Sequence, residues 1–172
     1  DHLIFIGPNV WGEHENPLFT EDKKLYPEWK KAALEEGVPV RIGRWEVPGN
    51  PIAVLVDFQP FFAQKNEIYG RAWELFRVDS LHAYGDYDEA SMFSYAAGRF
   101  AAALCKHCFA GRKIIYQAHE WMSGLGMLFL QHECPEVRTI FTTHATSIGR
   151  SIAGNNKLLY AYFKGYNGDQ MA

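Results

Sequence analysis

A chain of 172 residues is the length of one ordinary domain, able to bury about 70% of the surface its unfolded form exposes. Its 17 Lys+Arg against 20 Asp+Glu leave a formal charge of −3 with the basic residues scattered, which excludes a polycationic nucleic-acid footprint, and 48% hydrophobic with 15% aromatic residues excludes disorder. The longest apolar runs, Ile52–Val56 and Leu125–Leu130, fall far short of the roughly 18 residues that cross a bilayer, and three cysteines, an odd number, predict reduced thiols in a soluble cytoplasmic protein.

The run Leu3-Ile-Phe-Ile6 reads as a strand ended by Gly7-Pro8, and the polar stretch from there to about Thr20 reads as a loop. From Pro27, Trp29, Ala32, Ala33 and Leu34 recur at near-helical spacing, with Gly37 as the stop and Lys30, Lys31, Glu35 and Glu36 on a solvated face. Two β-rich segments, Val40 to Val47 and Ile52 to Phe58, flank the turn formers Pro48-Gly-Asn-Pro51 and are expected to pair. Residues 66–78 predict an amphipathic helix with Ile68, Trp73, Leu75 and Phe76 along it. Asp86, with Glu89 three positions on, predicts a capping box for a long helix whose buried stripe runs Phe93, Ala96, Ala97, Phe100, Leu104 and Cys108 to a stop near Gly111. Trp11, Trp45, Phe58, Phe61 and Phe62 are expected in the core.

The last third alternates: Ile114 to Ala118 as strand, Trp121 to His132 as helix, Cys134-Pro135 as its end, Thr139 to Thr143 as strand. That is a βαβ unit, and the whole order predicts an open α/β layer fold with a parallel sheet. The chain begins close to its first strand and stops soon after the aromatic stretch Leu158 to Phe163, which predicts a fragment of something longer.

In an open parallel sheet, ligands bind beyond the carboxyl ends of the strands. Each strand of the βαβ unit ends in a histidine, His119 and His144, so the two should lie side by side, with Glu120 next to the first and Arg150 six residues after the second. Imidazoles, a carboxylate and a guanidinium on one rim suit a sugar or phosphosugar; equally, the histidines could serve only to cap strand ends. Gly124 and Gly126 cost about 1 kcal/mol each in a helix relative to alanine, so a ligand or a packed neighbour must need them. Cys105-Lys-His-Cys108 with His132 and Cys134 offers a rival zinc set, against which stands the apolar stripe that carries both members of the pair. No Gly-x-Ser-x-Gly elbow, Walker loop or His-Glu-x-x-His is present.

At Ala118-His-Glu-Trp-Met-Ser-Gly124 followed by Thr139-Ile-Phe-Thr-Thr-His-Ala-Thr-Ser-Ile-Gly-Arg150, the sequence resembles the glycogen synthases of the animal and fungal type. Leu3 to Pro8, Gly43-Arg-Trp45 and Asp86 to Phe100 resemble the same family, so nearly the whole chain is covered. The resemblance implies a retaining glycosyltransferase of the GT-B type, in which two Rossmann-like domains face each other across a cleft. Residues 1–172 would be a single N-terminal, acceptor-side Rossmann-like domain, truncated at both ends, with the C-terminal nucleotide-sugar-binding domain absent. It also implies glucose transfer from UDP-glucose or ADP-glucose to the non-reducing 4-hydroxyl of an α-1,4-glucan, without metal or cofactor. Nucleic acid and membrane are not expected partners; a homo-oligomer of the full-length protein is. By the same resemblance His144 would contact the donor glucose, Arg150 the donor phosphates, and His119, Glu120, Trp121 and Gly124 would form the substrate-binding wall. The alternative is a glucan- or nucleotide-sugar-binding module that has kept the fold and lost the chemistry.

Overall fold

The computed structural model describes residues 3–12, 14 and 16–162. In chain order these form β1 (Ile4–Pro8), β2 (Phe19–Glu21), α1 (Pro27–Glu35), β3 (Val40–Trp45), β4 (Ile52–Val56), a 3-10 helix (Gln59–Gln64), α2 (Lys65–Phe76), α3 (Tyr87–His107), β5 (Ile115–His119), a 3-10 turn (Trp121–Ser123), α4 (Gly124–Glu133), β6 (Arg138–Thr142), α5 (Ser147–Gly154) and α6 (Leu159–Tyr162). The end of the aromatic stretch, Phe163, lies outside the described residues.

The architecture is mixed α/β. Strands β1 and β4 run parallel, β4 pairs antiparallel with β3 across the Pro48–Pro51 turn, and β2 closes the order β1-β4-β3-β2. A second sheet consists of β5 and β6, parallel and in the register that sets His119 opposite Thr142. The short edge strand β2 falls inside the segment read as loop. Its backbone approaches β3 where Gly43 stands: a β-carbon there would sit 2.1 Å from the Thr20 carbonyl oxygen.

Helix α3 joins the two sheets through the core. Met92, Tyr95, Ala96, Phe100 and Leu104 pack with Ile42, Val54 and Val56 in one cluster, while Ala101, Ala102 and Cys105 pack with Leu130, Cys134 and Val137 in another. Burial on several faces explains why this helix is rich in alanine: neighbours close in from more than one side. Its backbone packs closely against that of α4. A β-carbon on Gly126 would lie 1.7 Å from the Ser94 carbonyl oxygen and one on Gly98 would lie 2.3 Å from the Gly126 carbonyl oxygen, and the Gly126 N–H donates to Ser94 Oγ at 2.7 Å. Gly126 therefore serves helix-to-helix packing.

Four readings from sequence are corrected. The buried face of α2 is Ile68, Tyr69 and Ala72 with Phe76 partly buried, whereas Trp73 is 49% exposed and carries the Arg77 guanidinium over its ring. Asp86 forms no side-chain cap, because its backbone (φ −86°, ψ 10°) lacks the extended conformation a capping residue adopts; the acidic partner at this end is Asp88, which accepts from Lys65 Nζ at 2.6 Å and the Tyr69 hydroxyl at 2.7 Å. Glu36 is no solvated residue. Arg99 bonds it and also reaches Glu133 at 2.9 and 3.0 Å, these three side chains being 15–21% exposed, and Lys106 joins the network at 3.2 Å from Glu133 and 3.8 Å from Glu36. Phe58 and Phe61 are buried as expected, but Trp11 and Trp45 are exposed.

Candidate functional site

The parallel register of β5 and β6 brings both strands to their carboxyl ends at one rim. His119 is the last residue of β5, and His144 follows β6 by two residues; the distance from His119 Nδ1 to His144 Nε2 is 3.0 Å. The adjacency inferred from the βαβ pattern is thus present in the structure, down to a direct hydrogen bond.

Glu120 organises the rim. Its backbone sits at φ 64°, ψ 167°, a region that non-glycine residues occupy only under tertiary constraint and that is concentrated at functional sites. The constraint is visible: its N–H donates to the Thr142 carbonyl at 2.8 Å, and its carbonyl accepts from the Ser123 N–H at 3.1 Å. The Ser123 hydroxyl bonds the His119 carbonyl at 2.6 Å and the Glu120 carbonyl at 3.1 Å. The side chain then reaches across to the loop after β6, where one oxygen accepts the backbone N–H of His144 at 2.5 Å and of Ala145 at 3.1 Å. The His144 N–H, against some desolvation and aided by the Ala145 N–H and the fields of His144 and Arg150, holds the Glu120 carboxyl below the usual carboxylate range. Glu120 is therefore an anionic clamp on the loop that carries His144.

Beyond that loop, Thr146 caps α5, its hydroxyl oxygen accepting the Gly149 N–H at 3.0 Å. Arg150, one turn into α5 and exposed, lines with Thr143, His144, Thr146 and Gly149 an open depression of about 350 Å³. A guanidinium at a helix that starts facing the rim suits an anionic group.

On the other flank Trp121 is 50% exposed and lies parallel to Tyr87, the rings 6.0 Å apart and inclined by 3°. The Tyr87 hydroxyl is tied to Ser80 Oγ at 3.0 Å. Gly124 is nearby, and a β-carbon on it would make ordinary contact with the Phe141 ring at 3.5 Å. The structure thus brings His119, Glu120 and His144 into direct contact, sets Arg150 and Trp121 on the flanks, and gives Gly124 no close contact that demands glycine. Sequence reading missed Tyr87, Ser123 and Thr146. Only Thr146 had a local signal, a threonine just before a helix.

The zinc set is not assembled. Cys105 and Cys134 are buried together in the second cluster, where desolvation first of all pushes the Cys105 thiol up to about 12. Cys108 turns the other way, its Sγ 3.9 Å from the Glu28 carbonyl, and His132 packs edge-on against Phe76. Among the described residues no group of three or more His, Cys, Asp or Glu side chains is placed to hold a metal ion. No helix among them is long and apolar enough to cross a membrane.

The domain is mixed α/β of the Rossmann-like class, with paired histidines, a clamped carboxylate and an arginine beyond the ends of parallel strands. The particular family is set by comparison with known proteins. The glycogen synthase family model matches residues 3–172, and the chain belongs to that family. It is 28% identical over 178 residues to the liver glycogen [starch] synthase of Rattus norvegicus, covering 95% of this chain and 25% of that protein. Against the liver glycogen [starch] synthase of Homo sapiens it is 28% identical over 176 residues, 100% of this chain and 25% of that protein. Against glycogen [starch] synthase isoform 2 of Saccharomyces cerevisiae it is 26% identical over 165 residues, 90% of this chain and 23% of that protein. The chain spans about a quarter of the length of the curated relatives it matches.

Proposed function

We propose that this chain is the acceptor-side wall of a catalytic cleft in a longer glycogen synthase. The complete protein transfers glucose from UDP-glucose or ADP-glucose to the non-reducing 4-hydroxyl of an α-1,4-glucan with retention of configuration, needing no metal or cofactor, and this chain alone is inactive. The observation that carries the reading is the His119–Glu120–His144 constellation at the carboxyl ends of β5 and β6 in a chain of this family.

The chemistry asks for what the rim offers. Breaking the anomeric carbon–oxygen bond leaves positive charge on the sugar and negative charge on the departing diphosphate, so a fixed guanidinium and aligned dipoles favour the transition state over the ground state. Arg150 and the start of α5 fit the phosphates, and His144 fits the donor glucose next to them. Glu120 Oε1 is already engaged by two backbone N–H groups, which casts the residue as the group that orients the cleft wall, and retention by front-face departure asks for no protein nucleophile. Trp121 offers its exposed ring to the acceptor glucan, and Gly124 leaves room at the base of that surface.

The second half of the cleft, a C-terminal domain holding most of the nucleotide sugar, belongs to the rest of the protein. The full-length protein is proposed to be a cytoplasmic homo-oligomer. The test is incorporation of labelled glucose from either donor into a glycogen primer by the complete open reading frame beside this chain. Incorporation by the complete protein alone supports the reading; binding of glucan without incorporation by either overturns it in favour of a binding module.

A further inference from the structure

The backbone of Trp121 is set by the residue before it. Glu120 holds φ 64°, and the Ser123 N–H returns to the Glu120 carbonyl at 3.1 Å across the 3-10 turn that Trp121 opens. That backbone does not fix the indole, and Trp121 belongs to neither core cluster. Among the described residues its one ring partner is Tyr87, 6.0 Å away and inclined by 3°. Parallel rings at this distance fall in the offset-stacked range, so Tyr87 backs one face of the indole and leaves the other open, in keeping with the 50% exposure of Trp121.

Tyr87 is itself held from several directions. It is the first residue of α3 and packs against the first core cluster, and its hydroxyl shares a 3.0 Å hydrogen bond with the Oγ of buried Ser80. Its ring meets that of buried Tyr69 at 5.9 Å and 54°. The next residue, Asp88, ties the same turn to α2 through Lys65 Nζ and the Tyr69 hydroxyl. Contact therefore runs from the core at Tyr69, through Tyr87, to an indole whose far side faces solvent.

A half-exposed side chain that is free to rotate loses that freedom when a ligand settles on it, and holding it in the bound orientation beforehand removes the cost. A glucosyl unit presents a face of C–H groups, which an open aromatic face can cover. Resting on the acceptor role proposed above for Trp121, we propose that Tyr87 is a positioning residue for the glucan: it fixes the plane of the Trp121 ring before the chain arrives, while Glu120 fixes the backbone beneath. Acceptor recognition then extends from the rim of β5 and β6 to the start of α3.

The test uses the complete protein and glucose transfer to glycogen. Tyr87→Leu is expected to raise KM for the glucan about 3-fold or more, and no further than Trp121→Ala does, with kcat and KM for the nucleotide sugar little moved. Tyr87→Phe keeps the ring, gives up only the bond to Ser80, and should recover most of the loss. In the Trp121→Ala background Tyr87→Leu should add nothing, because Tyr87 acts through that ring. If Tyr87→Leu yields no folded protein by circular dichroism, Tyr87→Met, which fills more of the same space without a flat face, carries the same expectation. A glucan KM raised by Trp121→Ala and untouched by the Tyr87 variants, an equal rise in both KM values, or a full effect of Tyr87→Leu without Trp121 overturns the positioning role alone. A glucan KM unmoved by Trp121→Ala removes the acceptor role and this inference together, and a parent that transfers no glucose overturns the functional reading as well.

Discussion

The contact most sensitive to a single added methyl group is the one between α3 and α4, because two backbones meet there without side chains between them. In Gly126→Ala the new β-carbon would arrive 1.7 Å from the Ser94 carbonyl oxygen and 2.5 Å from its carbon, and neither atom belongs to a flexible side chain that could swing away. The helices must separate. Overpacking of this kind costs about 1–3 kcal/mol or more. Separation also strains the 2.7 Å bond from the Gly126 N–H to the buried Ser94 hydroxyl, and leaving such a group unsatisfied costs about 1–3 kcal/mol. Alanine returns about 1 kcal/mol through its better helix propensity. The net loss is about 1–5 kcal/mol, which in a chain of this length lowers the midpoint of thermal unfolding by about 2–20 °C. Gly124→Ala is the internal control, since its β-carbon makes only a 3.5 Å contact with the Phe141 ring. Thermal and urea unfolding followed by circular dichroism measure both variants. A Gly126→Ala protein as stable as the parent would refute the packing argument.

Further outcomes follow from the same structure. Trp121→Ala in the complete protein should raise KM for the glucan several-fold more than KM for the nucleotide sugar, and an equal effect on both would remove Trp121 from the acceptor side. Arg99→Met leaves Glu36 and Glu133 sharing the more exposed Lys106 in place of the guanidinium and should cost about 2–3 kcal/mol in urea unfolding. Despite desolvation, Arg99 and Lys106 hold the Glu133 carboxyl below its ordinary range, so the stability it contributes is present above the ordinary carboxylate pKa and fades as pH falls through the lowered one; a parent whose stability is flat below pH 5 contradicts this. The Cys105 thiol, pushed up to about 12 by burial, stays protonated in the fold, so the fold loses stability as pH climbs above the unfolded thiol's value of about 8.5. Alkylation at pH 8 mapped by mass spectrometry should mark Cys108, which is partly exposed, before Cys105 or Cys134.

Much of the site was legible because a parallel βαβ unit obeys strict geometry. Two strands in register place their carboxyl ends side by side, so a histidine at or just beyond each end sets His119 and His144 next to each other. The clamp by Glu120 was not legible in its form, since nothing local announces that a glutamate will hold φ 64° and reach the backbone of the loop after the neighbouring strand. Tyr87 and Trp121 are distant in sequence, and no pattern joins them. In α2 the apolar residues admit two phases, and contact with α3 chose the one that buries Tyr69 and leaves Trp73 outside. Asp86 and Glu89 had the right spacing for a capping box, yet the Asp86 backbone lacks the extended conformation of a cap, and the charge of Lys65 draws Asp88 into play instead.

The central claim is that this rim carries out glycosyl transfer. Its most direct test is kcat for glucose transfer to glycogen by the complete protein, as parent, His144→Ala and Arg150→Ala, each shown by circular dichroism to be folded. The account predicts losses of about two to four powers of ten in both variants with the fold intact. Near-parental turnover in both folded variants would contradict it and leave the histidine pair and Arg150 as structural fixtures of the strand ends.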